Sequence, residues 1–261
     1  MAGPDRRRRA GPCVTRELDD LLALAGRLVP GLDGRVAPPA APGIRPGASN
    51  ADAIARLRDW WRERHPEAGP HYLALRCWGL LIWQPVYLSV IAAHRSGIVP
   101  DLTRLSQPVA NGFIAGYTME RHEPLHGGLE KRLDAAATQL REIGVMFYRE
   151  LGAALRLNPR ATACMQADCI LSALLAARAG VSAADNAWAT AAAADWLARL
   201  GIAGGSGYLT YQRRSLPAIA VDRQVCCHHF RRSDGDYCST CPKLDIAERI
   251  ARLDAESAEA A

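Results

Sequence analysis

Hydrophobic residues recur every three or four positions along most of the chain, which is the spacing of helices that bury one face. Aromatic residues make up only 6% of the sequence, whereas alanine and leucine are abundant, and this balance also favours helix. Asn50 is the predicted cap of the second helix, and Pro85 is expected to bend the third. The pattern predicts a mainly α fold, with helices at residues 14–28, 50–64, 72–95, 129–157, 160–179 and 183–200.

Two segments interrupt this helical pattern before residue 129. Residues 31–47 are rich in proline and glycine and are predicted to form a loop. Residues 100–128 fit either a short strand or irregular structure. Neither segment shows a sustained period of two or of 3.6, so the hydrophobic pattern predicts no further helix there.

The C-terminal part of the chain does not continue the helical pattern. Glycines at 201–207 end the helical pattern, and two short strands at 208–211 and 218–221 are predicted to follow, with a closing helix at 244–253. We therefore predict a helical body with a small irregular or short-stranded C-terminal unit. The predicted parts are 1–47 (tail, helix and loop), 48–202 (helical body) and 203–261 (C-terminal unit).

Charge and hydropathy indicate the location of the protein in the cell and the kind of partner that it binds. The longest uncharged stretch, residues 77–93, is slightly short for a membrane span and contains Gln84-Pro85, so a buried helix is predicted. The basic run at 6–9 is not followed by an apolar segment, as an export signal would require. We expect a cytoplasmic protein, with peripheral association at the inner face of the membrane left open. The net charge of +5 suits anionic small molecules or acidic proteins, and no nucleic-acid partner is predicted.

Four of the eight cysteines lie close together near the C-terminus, in the pattern C-C-x10-C-x2-C: Cys226, Cys227, Cys238 and Cys241. Clustered cysteines in a cytoplasmic protein indicate a metal or redox site more often than disulfides. Four thiolates suit either zinc or an iron–sulfur cluster. The adjacent pair favours a cluster with two irons, because neighbouring side chains diverge and each can then take a different ligand position. The usual ferredoxin spacings are not matched.

This segment resembles the FhuF-type ferric-siderophore reductases, as does, less specifically, the tryptophan-rich stretch Trp78-Gly-Leu-Leu-Ile-Trp-Gln-Pro85. Many relatives carry an arginine pair directly before the double cysteine. This chain has Arg223-Gln224-Val225 there, and its pair Arg231-Arg232 follows the cysteines instead. The resemblance implies a [2Fe–2S] cluster held by Cys226, Cys227, Cys238 and Cys241.

The resemblance also implies an enzyme that reduces the ferric iron of siderophore chelates by one electron and releases ferrous iron in the cytoplasm. No nicotinamide or phosphate-binding fingerprint is present, so the expected electron donor is another protein, such as a ferredoxin or a flavin reductase, or a diffusible reductant. Arg231, Arg232 and Arg213 are candidates for steering an anionic chelate or an acidic partner. His228 and His229 are expected to act on the cluster sulfurs rather than as ligands, because four thiolates complete the set.

Two alternatives stay open from the sequence. One is a non-enzymatic module stabilised by zinc, with its basic region contacting nucleic acid. The other is an iron–sulfur carrier that passes its electron to another protein. The remaining cysteines, Cys13, Cys77, Cys164 and Cys169, are expected to be ordinary thiols.

Overall fold

A computed structural model describes residues 12–39, 42–202, 206–213 and 216–259. The basic run at residues 6–9 lies outside these ranges. The fold is mainly α, as predicted, and the predicted helices form with small shifts at their ends. The described residues contain seven α-helices: α1 (Pro12–Leu28), α2 (Ala51–Arg64), α3 (Gly69–Ile91), α4 (Leu129–Ala154), α5 (Pro159–Ala177), α6 (Ala183–Leu200) and α7 (Ile246–Glu259).

Helix α3 is the centre of the helical body, because it is apolar around its circumference and packs against α1, α2, α4 and α5. The helix continues past Pro85, which cannot donate a hydrogen bond to the Leu81 carbonyl. The side-chain amide of Gln107 donates to that carbonyl instead, at 3.2 Å. The span Pro66–Ser96 is long and apolar enough to cross a membrane, but most of it is buried inside the protein. The prediction of a buried helix is therefore confirmed.

Asn50 directly precedes α2, as predicted, but its side chain does not cap the helix. Its amide oxygen accepts from the backbone N–H of Arg45 at 2.8 Å, and its amide nitrogen donates to Glu150 at 2.8 Å. The predicted cap is wrong because the side chain joins the preceding loop to α4 instead.

Short strands between α1 and α4 form two small sheets. β1 (Gly34–Val36), β2 (Gly43–Ile44), β4 (Leu105–Ala110), β5 (Phe113–Ile114) and β6 (Tyr117–Met119) form the first, in the order β1-β6-β4-β2 with β5 also on β4. β1 and β6 are parallel, and the other pairs are antiparallel. β3 (Ile98–Val99) pairs with β7 (Leu125–His126). The strand alternative for 100–128 is thus the correct one, whereas the loop predicted for 31–47 is interrupted by the two short strands β1 and β2.

The C-terminal unit begins with an antiparallel hairpin of β8 (Gly207–Arg213) and β9 (Leu216–Asp222) that packs against α5 and α6. Val221 of β9 belongs to the same hydrophobic core as the helical body. An irregular segment between β9 and α7, residues 223–245, carries the four clustered cysteines and one 3₁₀ turn (His229–Arg231). We call it the cysteine segment. The predicted short-stranded unit is confirmed.

Candidate metal centre

The four clustered cysteines approach one another as two pairs. The sulfurs of Cys226 and Cys241 are 4.0 Å apart, too far for a disulfide, and Cys227 forms a hydrogen bond with Cys238. All four are free thiols. Each pair joins one member of the double cysteine to one member of the Cys-x2-Cys turn, so the adjacent residues Cys226 and Cys227 face different partners.

Local backbone geometry makes this divergence possible. His228 follows the double cysteine in the left-handed region, with φ of 60°, which a non-glycine residue adopts uncommonly. Its backbone N–H donates to the Cys226 sulfur at 3.3 Å, and the N–H of His229 donates to the Cys227 sulfur. On the other side, the Cys241 N–H donates to the Cys238 carbonyl at 2.9 Å and closes the Cys-x2-Cys turn.

The ten residues between the cysteine pairs fold back on themselves. The rings of Phe230 and Tyr237 stack with centroids 4.6 Å apart and planes inclined by 18°. Gly235 lies so close to the preceding turn that a Cβ there would meet the His229 carbonyl oxygen at 2.3 Å. A glycine is therefore required at this position, and the loop returns Cys238 to the double cysteine.

An ion pair at Arg223 joins the cysteine segment to α5. The Arg223 guanidinium donates from Nε to Asp168 at 2.9 Å and from Nη1 to the Cys238 sulfur at 3.6 Å. Asp168 also accepts a hydrogen bond from Ser206 at 2.7 Å, and it is nearly fully buried. Burial raises the pKa of Asp168, and the charge of Arg223 opposes that shift. Arg223 thus lies between a buried carboxylate and a cysteine sulfur.

Three further contacts hold the segment in place. The Ser233 N–H donates to Glu67, in the short 3₁₀ helix before α3, at 2.9 Å. From α7, the buried Arg249 pairs with Asp222 at 2.9 Å, and Arg252 donates to the Tyr237 carbonyl at 2.8 Å. The cysteines are therefore fixed from α5, from α7 and from the entrance to α3.

One thiol of the Cys227–Cys238 pair is already polarised towards a thiolate. A hydrogen bond with Cys238, helped by the charge of Arg223 and by the His229 N–H, lowers the pKa of Cys227. The same hydrogen bond raises the pKa of Cys238, and burial raises that of Cys226. Metal ligation needs deprotonated sulfur, so the surroundings of Cys227 suit a ligand.

This donor set fits two irons better than one ion. Among the described residues, which include all four clustered cysteines, no group of three or more His, Cys, Asp or Glu side chains surrounds a single-ion position. Two sulfur pairs instead offer two ligands to each of two metals. The buried Nδ1 of His228, the residue that follows the double cysteine, has no hydrogen-bond partner in the described part of the protein.

Comparison with known families bears on the choice between zinc and an iron–sulfur cluster. The segment from Arg223 to Lys243 matches the family model described as FhuF 2Fe-2S C-terminal domain. These residues are similar to the FhuF 2Fe-2S C-terminal domain. The predicted resemblance is confirmed there, and the cofactor of this FhuF 2Fe-2S domain is a [2Fe–2S] cluster. A single structural zinc ion is therefore not supported. No solved structure matches this chain.

The three arginines predicted to steer ligands lie in different surroundings. Arg231 is exposed in the loop between the double cysteine and Cys238, and it forms no ion pair with another described residue. Arg232 is bound to Asp234 at 2.8 Å and its guanidinium lies 5.6 Å from the Trp61 ring centroid, so it holds the loop against the body. Arg213 ends β8 at the turn of the hairpin, the end opposite the Gly207–Asp222 pair that adjoins the domain. The structure therefore does not bring Arg213 to the cysteines.

Sequence reasoning missed the side chains of the helical body that reach the FhuF 2Fe-2S domain, chiefly Asp168 and Arg76. Asp168 lies in an alanine-rich helix far along the chain from Arg223, so no spacing marks it. Cys77 and Cys164 are buried, and burial raises the pKa of Cys77 to about 12; Cys169 is partly buried on α5, next to Asp168.

Proposed function

We propose that this protein is an oxidoreductase that uses its [2Fe–2S] cluster to reduce the ferric iron of siderophore chelates by one electron. A siderophore holds iron(III) through hard oxygen donors, and iron(II), with its lower charge, is bound far more weakly by the same donors. One electron therefore releases the metal without breaking any bond in the organic chelator. When bound, a [2Fe–2S] cluster takes up and gives out electrons singly.

The observation that carries the proposal is the arrangement of the four cysteine sulfurs in the matched segment as two pairs, Cys226 with Cys241 and Cys227 with Cys238. These four residues would hold the cluster. Three of them are partly exposed and only Cys241 is fully buried, so both an electron donor and an acceptor can approach. The neighbouring residues need only bind and orient the reactants, since no general acid or nucleophile is required.

Surface charge supports an anionic reactant. Most basic residues around the segment are neutralised by carboxylates, as in Arg223–Asp168, Arg232–Asp234 and Arg252–Asp236. Arg231 and Lys243 are exposed and form no ion pair with another described residue. These two cations can attract an anionic chelate, or an acidic ferredoxin or flavoprotein as the electron donor. On this proposal the iron(II) is released on the cytoplasmic side.

The test is a single-turnover assay. Protein purified without oxygen is reduced and mixed with a ferric siderophore in the presence of a ferrous chelator that absorbs visible light when it binds iron(II). The proposal predicts one iron(II) released per reduced protein, at a rate well above that of the chemical reductant alone. The Cys238→Ser variant is the matched control, because it should lack the cluster. Equal rates with and without the cluster would contradict the proposal.

A second candidate is an electron carrier that serves another protein, favoured by the partial exposure of Cys226, Cys227 and Cys238. The same assay separates the two. A carrier would lose its electron rapidly to an acceptor protein but would not speed iron(II) release from the siderophore.

A further inference from the structure

An open cavity of about 610 Å³ lies between α3 and α5 and is closed at one end by β9 and the cysteine segment. Its volume is in the range of small-molecule sites. The wall combines aromatic and aliphatic groups, including Leu80 and Trp83 of α3, with three charged side chains, Arg76, Asp168 and Arg223. This mixture is suited to an amphipathic ligand rather than to a purely apolar one.

The charges in the cavity do not cancel. Arg223 is paired with Asp168. Arg76 forms no ion pair with another described residue; its guanidinium lies over the Trp61 ring, 4.3 Å from the centroid, and its Nε is buried without a hydrogen-bond partner. Burial lowers the pKa of Arg76, which reflects the cost of removing this cation from water. A bound anion would supply the missing partner.

The cavity also adjoins the cysteines. Thr240, between Cys238 and Cys241, is part of its wall, and Arg223 contacts both the cavity and the Cys238 sulfur. Arg76 lies close enough to Cys227 for their charges to interact. A ligand in the cavity would therefore lie beside the sulfurs.

We propose that this cavity binds the chelate that is reduced, and that Arg76 binds a negatively charged oxygen donor of that chelate. The inference rests on the proposed function and specifies its substrate class: an anionic iron(III) complex with oxygen donors, its organic backbone lying against Leu80 and Trp83. Neutral complexes of similar size should bind more weakly, since they form no ion pair with Arg76.

The test measures binding without reduction. Gallium(III) has the charge of iron(III) and a similar radius but no accessible divalent state. Binding of an anionic gallium(III) tris-catecholate and of a neutral gallium(III) trihydroxamate is measured calorimetrically with the cluster-loaded protein. Arg76→Gln removes the cation, and Arg76→Lys keeps it. Gly79→Leu fills the cavity, since even a Cβ at Gly79 would lie 3.2 Å from Met165 Cε. Arg141→Gln makes the same charge change in a separate groove between α4 and α5.

We expect Arg76→Gln to weaken binding of the anionic complex by roughly ten-fold or more, the size of a lost charged hydrogen bond. Arg76→Lys should recover most of that loss. Gly79→Leu should abolish binding of both complexes, and Arg141→Gln should bind like the wild type. Far-ultraviolet circular dichroism confirms that the helical body of each variant is folded, and the visible spectrum confirms that the cluster is present. Wild-type affinity in both Arg76→Gln and Gly79→Leu would overturn the proposal.

The failure of this inference and that of the proposed function are distinguishable. If the wild type binds neither gallium complex, yet its reduced form releases iron(II) from the corresponding iron(III) complexes, the cavity is not the site and the reductase function stands. If the gallium complexes bind in the expected order but no iron(II) is released, the cavity is a binding site and the reductase function fails.

Discussion

Replacing Arg223 with glutamine should make the cluster harder to reduce. The guanidinium lies between Asp168 and Cys238, and its Nη1 donates to the Cys238 sulfur at 3.6 Å. Reduction adds one negative charge to the cluster, so a nearby cation stabilises the reduced form more than the oxidised form. Asp168 acts in the opposite direction, because its carboxylate offsets the charge of Arg223. Arg223→Gln should therefore lower the midpoint potential, and Asp168→Asn should raise it.

The size of the shift follows from the contact. A hydrogen bond to a charged group contributes about 1.5–3 kcal/mol. Only the part that changes when the electron is added affects the potential, and we take this part as about 1–2 kcal/mol. One electron and about 1.4 kcal/mol correspond to about 59 mV, so the expected decrease is about 40–90 mV. Salt should screen this effect little, because the Arg223 side chain is only 15% exposed.

The assay is a potentiometric titration of the cluster, followed by its visible absorption or by electron paramagnetic resonance. Arg141→Gln is the matched control, since it removes the same charge from an exposed position on α4, in a groove that no residue of the cysteine segment lines. The opposite signs expected for the Arg223 and Asp168 variants separate an electrostatic effect from a general loosening of the site. An unchanged or higher potential in Arg223→Gln would refute the reasoning.

Three other predictions concern the cysteines, the surface charge and acid stability. Cys238→Ser or Cys241→Ser should remove the visible absorption of the cluster and leave the far-ultraviolet circular dichroism nearly unchanged; loss of helix would contradict a helical body that folds without the cluster. Arg231→Gln should slow reduction of an anionic chelate roughly three-fold at low salt and reduce its salt dependence; equal slowing with a neutral chelate would exclude steering. Burial, together with the charge of Arg132, lowers the pKa of His94 to about 4, from about 6.5 when unfolded. Between these two pKa values His94 is protonated in the unfolded state but not in the folded state, so the free energy of unfolding falls as the pH drops from 6.5 to 4. In the wild type the free energy of unfolding should decrease between pH 7.5 and pH 4.5, and His94→Gln should reduce this decrease by up to about 2 kcal/mol, measured from denaturation curves at both pH values. An unchanged decrease would contradict this role of His94.

Strong local patterns made much of the fold predictable from the sequence. Helix α6 forms over the predicted residues 183–200, because the capping box of Ser182 and Asp185 and the left-handed Gly201 fix both ends locally. The strands between α1 and α4 were harder to predict. β1 has three residues and pairs with β6, more than eighty positions away, and Gly34 accommodates the ring of Tyr117 there. Such pairing depends on tertiary contacts that no short pattern records.

The candidate site was also predictable only in part from the sequence. The cysteines were identified from their spacing, and the two-iron argument from the adjacent Cys226 and Cys227 agrees with the two sulfur pairs. Arg223, Asp168 and Arg76 come together only when α3, α5 and the cysteine segment pack. Among the basic residues, the sequence could not separate the exposed Arg231 from arginines already neutralised by carboxylates, because ion pairs depend on the folded loop.

Mössbauer spectroscopy of protein grown on ⁵⁷Fe and purified without oxygen tests the central claim most directly. Four cysteine ligands around a [2Fe–2S] cluster predict two irons per chain with tetrahedral sulfur coordination, magnetically coupled when oxidised, one of which becomes ferrous on reduction by one electron. Protein that contains no such coupled iron pair, or that holds one zinc ion in place of iron, would contradict the account.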